Sequence, residues 1–445
     1  MANNPMDRRA PGDRPDRPGG PGTGRGAEYT GRYVVLFDPG NHESGINALR
    51  ASADIAPVER VRGSAEPASV TELLERPDVS VFFEDLAAAV VEVRPEKRHA
   101  LVTTAEAESS ILAAEPERLV YASPITAPHQ APTDFFPAYR SDGDVVDRQS
   151  QAEAATAQGP ALDEQNVTWG LQAIRANLSA MTGRGVKIAV LDTGVDTDHP
   201  DLVGRIDATV SFVPGQSVED LHGHGTHCIG TAAGPANPAQ KPRYGVATEA
   251  RVLVAKVLDN TGHGPDGQIL AGLAWAINNG ARVISMSLGA EVQPGELFPQ
   301  TYELVAKNAL DMGVVIVAAA GNASLRPGFV APVERPANCP SILAVASVDK
   351  ALQTATSSCG AINGDGGEVD IAAPGKFIIS AAPGGGHAVM SGTSMATPHV
   401  AGLLAMLIQA NPDDSAAQLK ARLLATAFPL SQPGRDVGAG LVQAP

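Results

Sequence analysis

Apolar residues gather into short runs along this chain, and the character of the runs changes after the first quarter. Four runs of strand length stand early: RYVVLF (32–37), AAVVEV (88–93), HALVTT (99–104) and RLVYAS (118–123). Between the last two, AEAESSILAAE (105–115) carries a helical period. Strand-length runs broken by a helical stretch predict a small α+β unit over residues 31–123. From Pro124 to Glu164 the chain turns to Pro, Ala, Asp, Gln and Ser with no sustained period, which reads as a protease-sensitive linker over residues 124–164. Residues 165–445 then bring five apolar, mostly β-branched runs: VKIAVL (186–191), VLVAKVL (252–258), ARVISMSL (281–288), VVIVAAA (314–320) and ILAVASV (342–348). Helical periods fill GQILAGLAWAINNG (267–280) and TYELVAKNALDMG (301–313) between them. Near-continuous apolar strands alternating with helices predict an α/β fold, a doubly wound and mostly parallel sheet with helices on both faces.

Composition narrows the function classes. A formal charge of -16 over 445 residues excludes a general affinity for nucleic acid or anionic membranes. No apolar run reaches the length of a membrane span. Residues 1–30 form a mixed-charge tail rich in Pro, Gly and Arg, read as disordered; they lack the apolar stretch of a secretory leader, so a cytoplasmic location is expected. Three cysteines give no disulfide framework, and spacing leaves open whether Cys339 and Cys359 pair.

In a doubly wound sheet the ligand crevice lies beyond the carboxyl ends of the strands, so chemistry is sought there. Asp192 follows VKIAVL, Asn322 follows VVIVAAAG, and Gly289 follows ARVISMSL. Ser394 opens the apolar stretch GTSMATPHVAGLLAMLIQA (392–410), where the positive end of a helix dipole favours a developing oxyanion. Pro398 is placed near that helix start, where a missing donor costs little. LHGHGTHC (221–228) adds His222, His224, His227 and Cys228, a set compatible with zinc or with one catalytic base. A hydroxyl, an imidazole, a carboxylate and an amide are the chemistries that nucleophilic acyl transfer requires.

VLDTGVDTDHPDL (190–202), HGTHCIGT (224–231), VISMSLG (283–289), AAAGN (318–322) and GTSMATPHVAG (392–402) resemble, in order, the motifs of the subtilisin-like serine proteases, or subtilases. The resemblance spans residues 169–443 and implies a serine endopeptidase needing no cofactor for catalysis. It assigns Ser394 as nucleophile, His224 as base, Asp192 as its orienting carboxylate and Asn322 as oxyanion donor. Ser287, Leu288 and Gly289 match the edge that pairs with the substrate backbone, and with Ala319 and Gly321 they line the pocket for the side chain before the scissile bond. Gly262 and Gly264 fall on the loop at one rim of the cleft. His227 and His399 are read as packing residues, Cys228 as a small core residue beside the base. Asp201 matches a calcium ligand of some members, although AGPANPAQKPRYG (233–245) carries one asparagine and no acidic residue where a calcium site would draw on more. The unit at 31–123 is similar to the family's ferredoxin-like propeptide, which implies a zymogen whose own N-terminal module inhibits it and a processing site in the linker. Polypeptide is the implied substrate.

Overall fold

A computed structural model describes residues 27–122, 163–364 and 366–445. Most of the expected tail and nearly all of the expected linker lie outside the described residues.

The first unit runs β1 (Tyr29–Phe37), helix His42–Ala53, β2 (Val58–Val61), helix Pro67–Glu75, β3 (Ser80–Phe83), β4 (Ala88–Val91), helix Arg98–Ala107 and β5 (Ile111–Ala122). Its strand order is β5-β1-β4-β3-β2. Without β2 and the helix after it, this is the βαββαβ arrangement of a ferredoxin-like module. Two local readings of the sequence are corrected. HALVTT is helical, because it continues into Ala105-Glu106-Ala107, strong helix formers, and only Leu101 of that helix is buried. The segment 105–115 breaks at Ser109-Ser110, and Ile111 already begins β5.

Both faces of this sheet are buried, for different reasons. Val35, Phe37, Phe82, Ala89 and Val91 pack under the module's own helices. The alternate residues Val34, Leu36, Val81, Phe83, Ala88 and Val90 join the large core of the second unit. Fully burying each Val, Leu or Phe contributes roughly 1.5–3 kcal/mol.

The second unit is built on a seven-stranded sheet in the order β14-β13-β12-β10-β6-β8-β7, comprising β6 (Lys187–Asp192), β7 (Ile206–Ser211), β8 (Arg251–Lys256), β10 (Val283–Met286), β12 (Val315–Ala319), β13 (Leu343–Val348) and β14 (Ile371–Pro374). Every pairing in it is parallel. The chain leaves β6 for the edge at β7 and β8, then crosses to β10 on the other side. That reversal opens a crevice at the carboxyl ends of β6 and β10, the ends that carry Asp192 and Ser287. Helix Thr393–Ala410, apolar on nearly every face and buried through Ile408, crosses behind the sheet and brings its first turn to the same crevice. No described helix is long and apolar enough to cross a membrane.

Candidate active site

Asp192, the last residue of β6, and His224, the first of helix His224–Ala233, meet at 2.8 Å between Oδ1 and Nδ1. The same carboxylate oxygen accepts the Thr193 N–H at 2.7 Å. Both residues are buried. Burial disfavours the imidazolium, but the adjacent Asp192 charge outweighs it and raises the His224 pKa well above the usual histidine value. With Nδ1–H given to the carboxylate, Nε2 is the nitrogen left to take a proton, and it has no hydrogen-bond partner among the described residues.

Ser394 is the second residue of its helix. Its Oγ donates to the Ser287 carbonyl at 3.3 Å. Pro398 sits sixth in that helix, not within the first turn as the sequence suggested, so its missing N–H deprives the Ser394 carbonyl of its donor four residues on. Two side chains fill the gap: Ser287 Oγ donates at 2.8 Å and Cys228 Sγ at 3.5 Å. The proline thereby ties the serine's backbone to β10 on one side and to the histidine helix on the other.

Asn322 holds the remaining corner. Its Oδ1 accepts the Thr393 N–H at 3.0 Å, its backbone N–H donates to Glu334 Oε1 at 3.0 Å, and its Nδ2 is buried without a hydrogen-bond partner among the described residues. Gly392, at φ +147°, turns the chain into the serine helix; a Cβ there would sit 3.2 Å from Asn322 Nδ2. The arrangement offers an oriented imidazole, a hydroxyl at a helix N-terminus and an amide donor within one crevice.

Two buried charges that the sequence reading did not single out hold this crevice in shape. Asp220 accepts from the Gly223 and Thr226 N–H groups, the Thr226 hydroxyl and the Thr193 hydroxyl, all at 2.7–2.9 Å. Burial opposes its ionisation, yet these donors prevail and keep its pKa below the ordinary carboxylate value. It joins the start of the histidine helix to the residue after Asp192. Lys256, also buried, donates from Nζ to the Thr193 carbonyl and to Asn260 Oδ1. Asp220 lies four residues before His224, a spacing that could have flagged it as a helix-start acceptor; Lys256 closes β8 with no local signal.

The other histidines separate cleanly. His227 is buried with Nε2 on the Ile378 carbonyl at 3.0 Å, and burial pushes its pKa down to about 3. His399 engages the Met395 carbonyl at 2.8 Å, and burial brings it to about 4. Cys228 Sγ lies 3.9 Å from His224 Nδ1. Cys339 and Cys359 are free and buried.

β5 lies between two of the segments expected to contact substrate. β11 (Leu288–Gly289) pairs antiparallel with β5, Leu288 opposite Ala122 and Gly289 opposite Tyr121. On the other flank β9 (His263–Pro265) pairs with β5, Gly264 opposite Val120, and the Gly262 carbonyl accepts the Ala122 N–H at 2.8 Å. Ala319 ends β12, and the Gly321 N–H donates to Thr393 Oγ1 at 3.1 Å. The module also caps two helices: Glu117 Oε1 accepts the Gly267 N–H at 2.9 Å and Glu115 Oε1 the Gln300 N–H at 2.7 Å.

Asp201 does not fit a calcium ion. Its Oδ1 accepts the Ala239 N–H and its Oδ2 the Tyr244 hydroxyl, each at 2.6 Å, so donors of the 233–245 loop occupy both oxygens. Arg326 is part-buried, with Nη2 on Asp436 at 2.7 Å and Nε on the Ser358 carbonyl at 2.9 Å.

Comparison with known proteins agrees with this geometry. The sequence profile of the subtilase family matches residues 183–441. The chain is 40% identical over 268 residues to subtilisin of Bacillus pumilus, an alignment covering 59% of this chain and 92% of that protein. To subtilisin E of Bacillus subtilis it is 40% identical over 268 residues, 59% of this chain and 66% of that one. To subtilisin Savinase of Lederbergia lenta it is 40% identical over 284 residues, 63% of this chain and 98% of that one. With the parallel sheet, the five motifs and these relatives in agreement, the chain belongs to the subtilase family and is a subtilisin-like serine endopeptidase.

Proposed function

We propose that Ser394 attacks the peptide carbonyl while His224 Nε2 takes its proton, with Asp192 holding the imidazole tautomer. Asn322 Nδ2 and the Ser394 backbone N–H then steady the tetrahedral oxyanion. His224 returns the proton to the leaving amine, and water repeats the cycle to release the acyl group. The observation that carries the reading is the buried 2.8 Å contact between Asp192 and His224 in the same crevice as the start of the Ser394 helix. A fluorophosphonate should label matured enzyme at Ser394 alone; labelling elsewhere, or none, refutes the assignment.

The protein is further proposed to be a zymogen. β5 enters the groove antiparallel to β11, as an extended substrate would, and the module's sheet shares its core with the peptidase. In this reading the module blocks the groove until the chain is cut between residues 124 and 165. Mass spectrometry of purified wild type should show that cut, and Ser394→Ala should remain full length. Identical masses under conditions where wild type hydrolyses peptides would remove autoprocessing.

A further inference from the structure

Glu334 is a buried carboxyl that the proposed mechanism does not use. It lies against both glycines of the pocket: a Cβ added to Gly321 would fall 2.3 Å from its Cδ, and one added to Gly289 would fall 3.0 Å from its Oε2. Its Oε1 accepts the Asn322 N–H at 3.0 Å and lies 4.0 Å from Cys359 Sγ. No described cation pairs with it. The neighbouring Arg335 points away, toward Asp266 at 3.4 Å and over the Tyr302 ring. Burial first, then the Glu291 charge, raise the carboxyl's pKa to about 7, while the Asn322 N–H works in the other direction.

The register of β5 places this carboxyl relative to a substrate. Gly289 stands opposite Tyr121 and Leu288 opposite Ala122, so in a substrate laid the same way the next residue stands opposite Ser287, beside Ser394. Directly opposed residues of an antiparallel pair share a face, and residues two apart on one strand share it again. The side chain before the scissile bond therefore points to the face where the Cβ direction of Gly289 meets Glu334. Glu334 packs against the bare Cα of both glycines, so neither puts a side chain between the groove and the carboxyl.

We propose that Glu334 forms the floor of the pocket for the residue before the scissile bond and selects a cationic side chain, lysine or arginine, there. This rests on the groove being the substrate site of the proposed peptidase. A buried carboxyl without a cation is unfavourable when ionised. An incoming ammonium or guanidinium supplies the missing charge, whereas an apolar side chain would leave it uncompensated. The backbone bond from Asn322 fixes the carboxyl in place, so the pocket is preorganised for that charge.

The test uses matured enzyme at pH 8.5 and chromogenic peptides differing only in the residue before the cleaved bond: Lys, Arg, Gln, Met, Leu or Ala. Wild type should favour Lys or Arg over Gln and Met by about tenfold or more in kcat/KM, the scale of a hydrogen bond to a charged group. Glu334→Gln, which keeps an acceptor for the Asn322 N–H, should bring the basic and neutral peptides to within about threefold of one another, a ratio taken within one protein so that any change in overall turnover cancels. Wild-type preference for Leu, Met or Ala, or a basic preference that survives Glu334→Gln, overturns the proposal. The wild-type series stands alone if the variant does not fold. Absence of labelling at Ser394 together with no hydrolysis of any peptide would instead strike the parent reading, and the specificity with it.

Discussion

At the scale of single residues the site turns on which state one imidazole holds. In the proposed mechanism His224 must be neutral to accept a proton, and the Asp192 charge lifts its pKa above 6.5. As pH falls through that raised value the base is lost, so the acid limb of kcat/KM should lie above 6.5, read from a pH–rate profile on matured enzyme. Asp192→Asn should move that limb lower and reduce kcat by about 10⁴-fold, the scale seen when a triad carboxylate is removed. Cys228 gives a second handle. Asp192, His224 and Cys228 offer three ligand atoms within 4.8 Å of one another. A mercurial entering there should inactivate wild type by binding the thiol beside the base. Cys228→Ala should resist it yet retain activity, since Ser287 still donates to the Ser394 carbonyl. Equal loss in both proteins would show that the thiol is not the target.

At the scale of elements, what matters is how helices begin. The serine helix is entered through Gly392, whose φ of +147° few other residues tolerate and whose Cα faces Asn322. Gly392→Ala should cost about 1–3 kcal/mol, seen as a lower urea midpoint. Its peptide hydrolysis should fall further than that loss of stability alone would cause. Two other helices begin on carboxylates from a different part of the chain, Glu117 at Gly267 and Glu115 at Gln300. Glu117 also pairs with Arg32 at 2.7 Å. Glu117→Ala should loosen the module, so the full-length precursor is labelled by fluorophosphonate faster than wild type; an unchanged rate would mean the cap contributes nothing to closure. None of this capping was visible beforehand, because residues 150 or more apart along the chain share no local pattern. Five of the seven strands of the parallel sheet were legible as near-continuous apolar runs, whereas the edge strands β7, half-exposed along IDATVS, and β14, four residues long, carry no such signal. HALVTT misled because six residues do not separate a helical period from a strand one.

For the whole molecule, legibility followed the topology. Asp192, His224, Asn322 and Ser394 stand at strand ends or helix starts, so motif and architecture pointed to the same places. Lys256 and Glu334 were missed, being charged residues inside otherwise ordinary stretches, made meaningful only by what folds against them. Asp201 shows the reverse: the family resemblance offered it as a weak calcium candidate that the 233–245 loop did not support, and the fold gave its oxygens to Ala239 and Tyr244. Thermal unfolding should accordingly be insensitive to a calcium chelator at this site. Asp201→Ala should cost about 1–3 kcal/mol by leaving buried donors unmet; a Tm that drops on chelation of wild type but not of Asp201→Ala would restore the ion.

One feature of the large-scale packing sets the direction of events. Two of the module's helices cover one side of its sheet, while on the other only the short helix Pro67–Glu75, through Val70 and Leu74, joins the peptidase in covering Val34, Leu36, Val81, Phe83 and Val90. Once the two part, that apolar face keeps only the short helix as cover in water. In the proposed zymogen the detached module would be the less protected of the two products, exposed to unfolding and to the protease it had blocked. Activation by that proposed route would run as a ratchet: each cut would destroy the means of reversing it, and the number of active molecules would record how many had ever been opened.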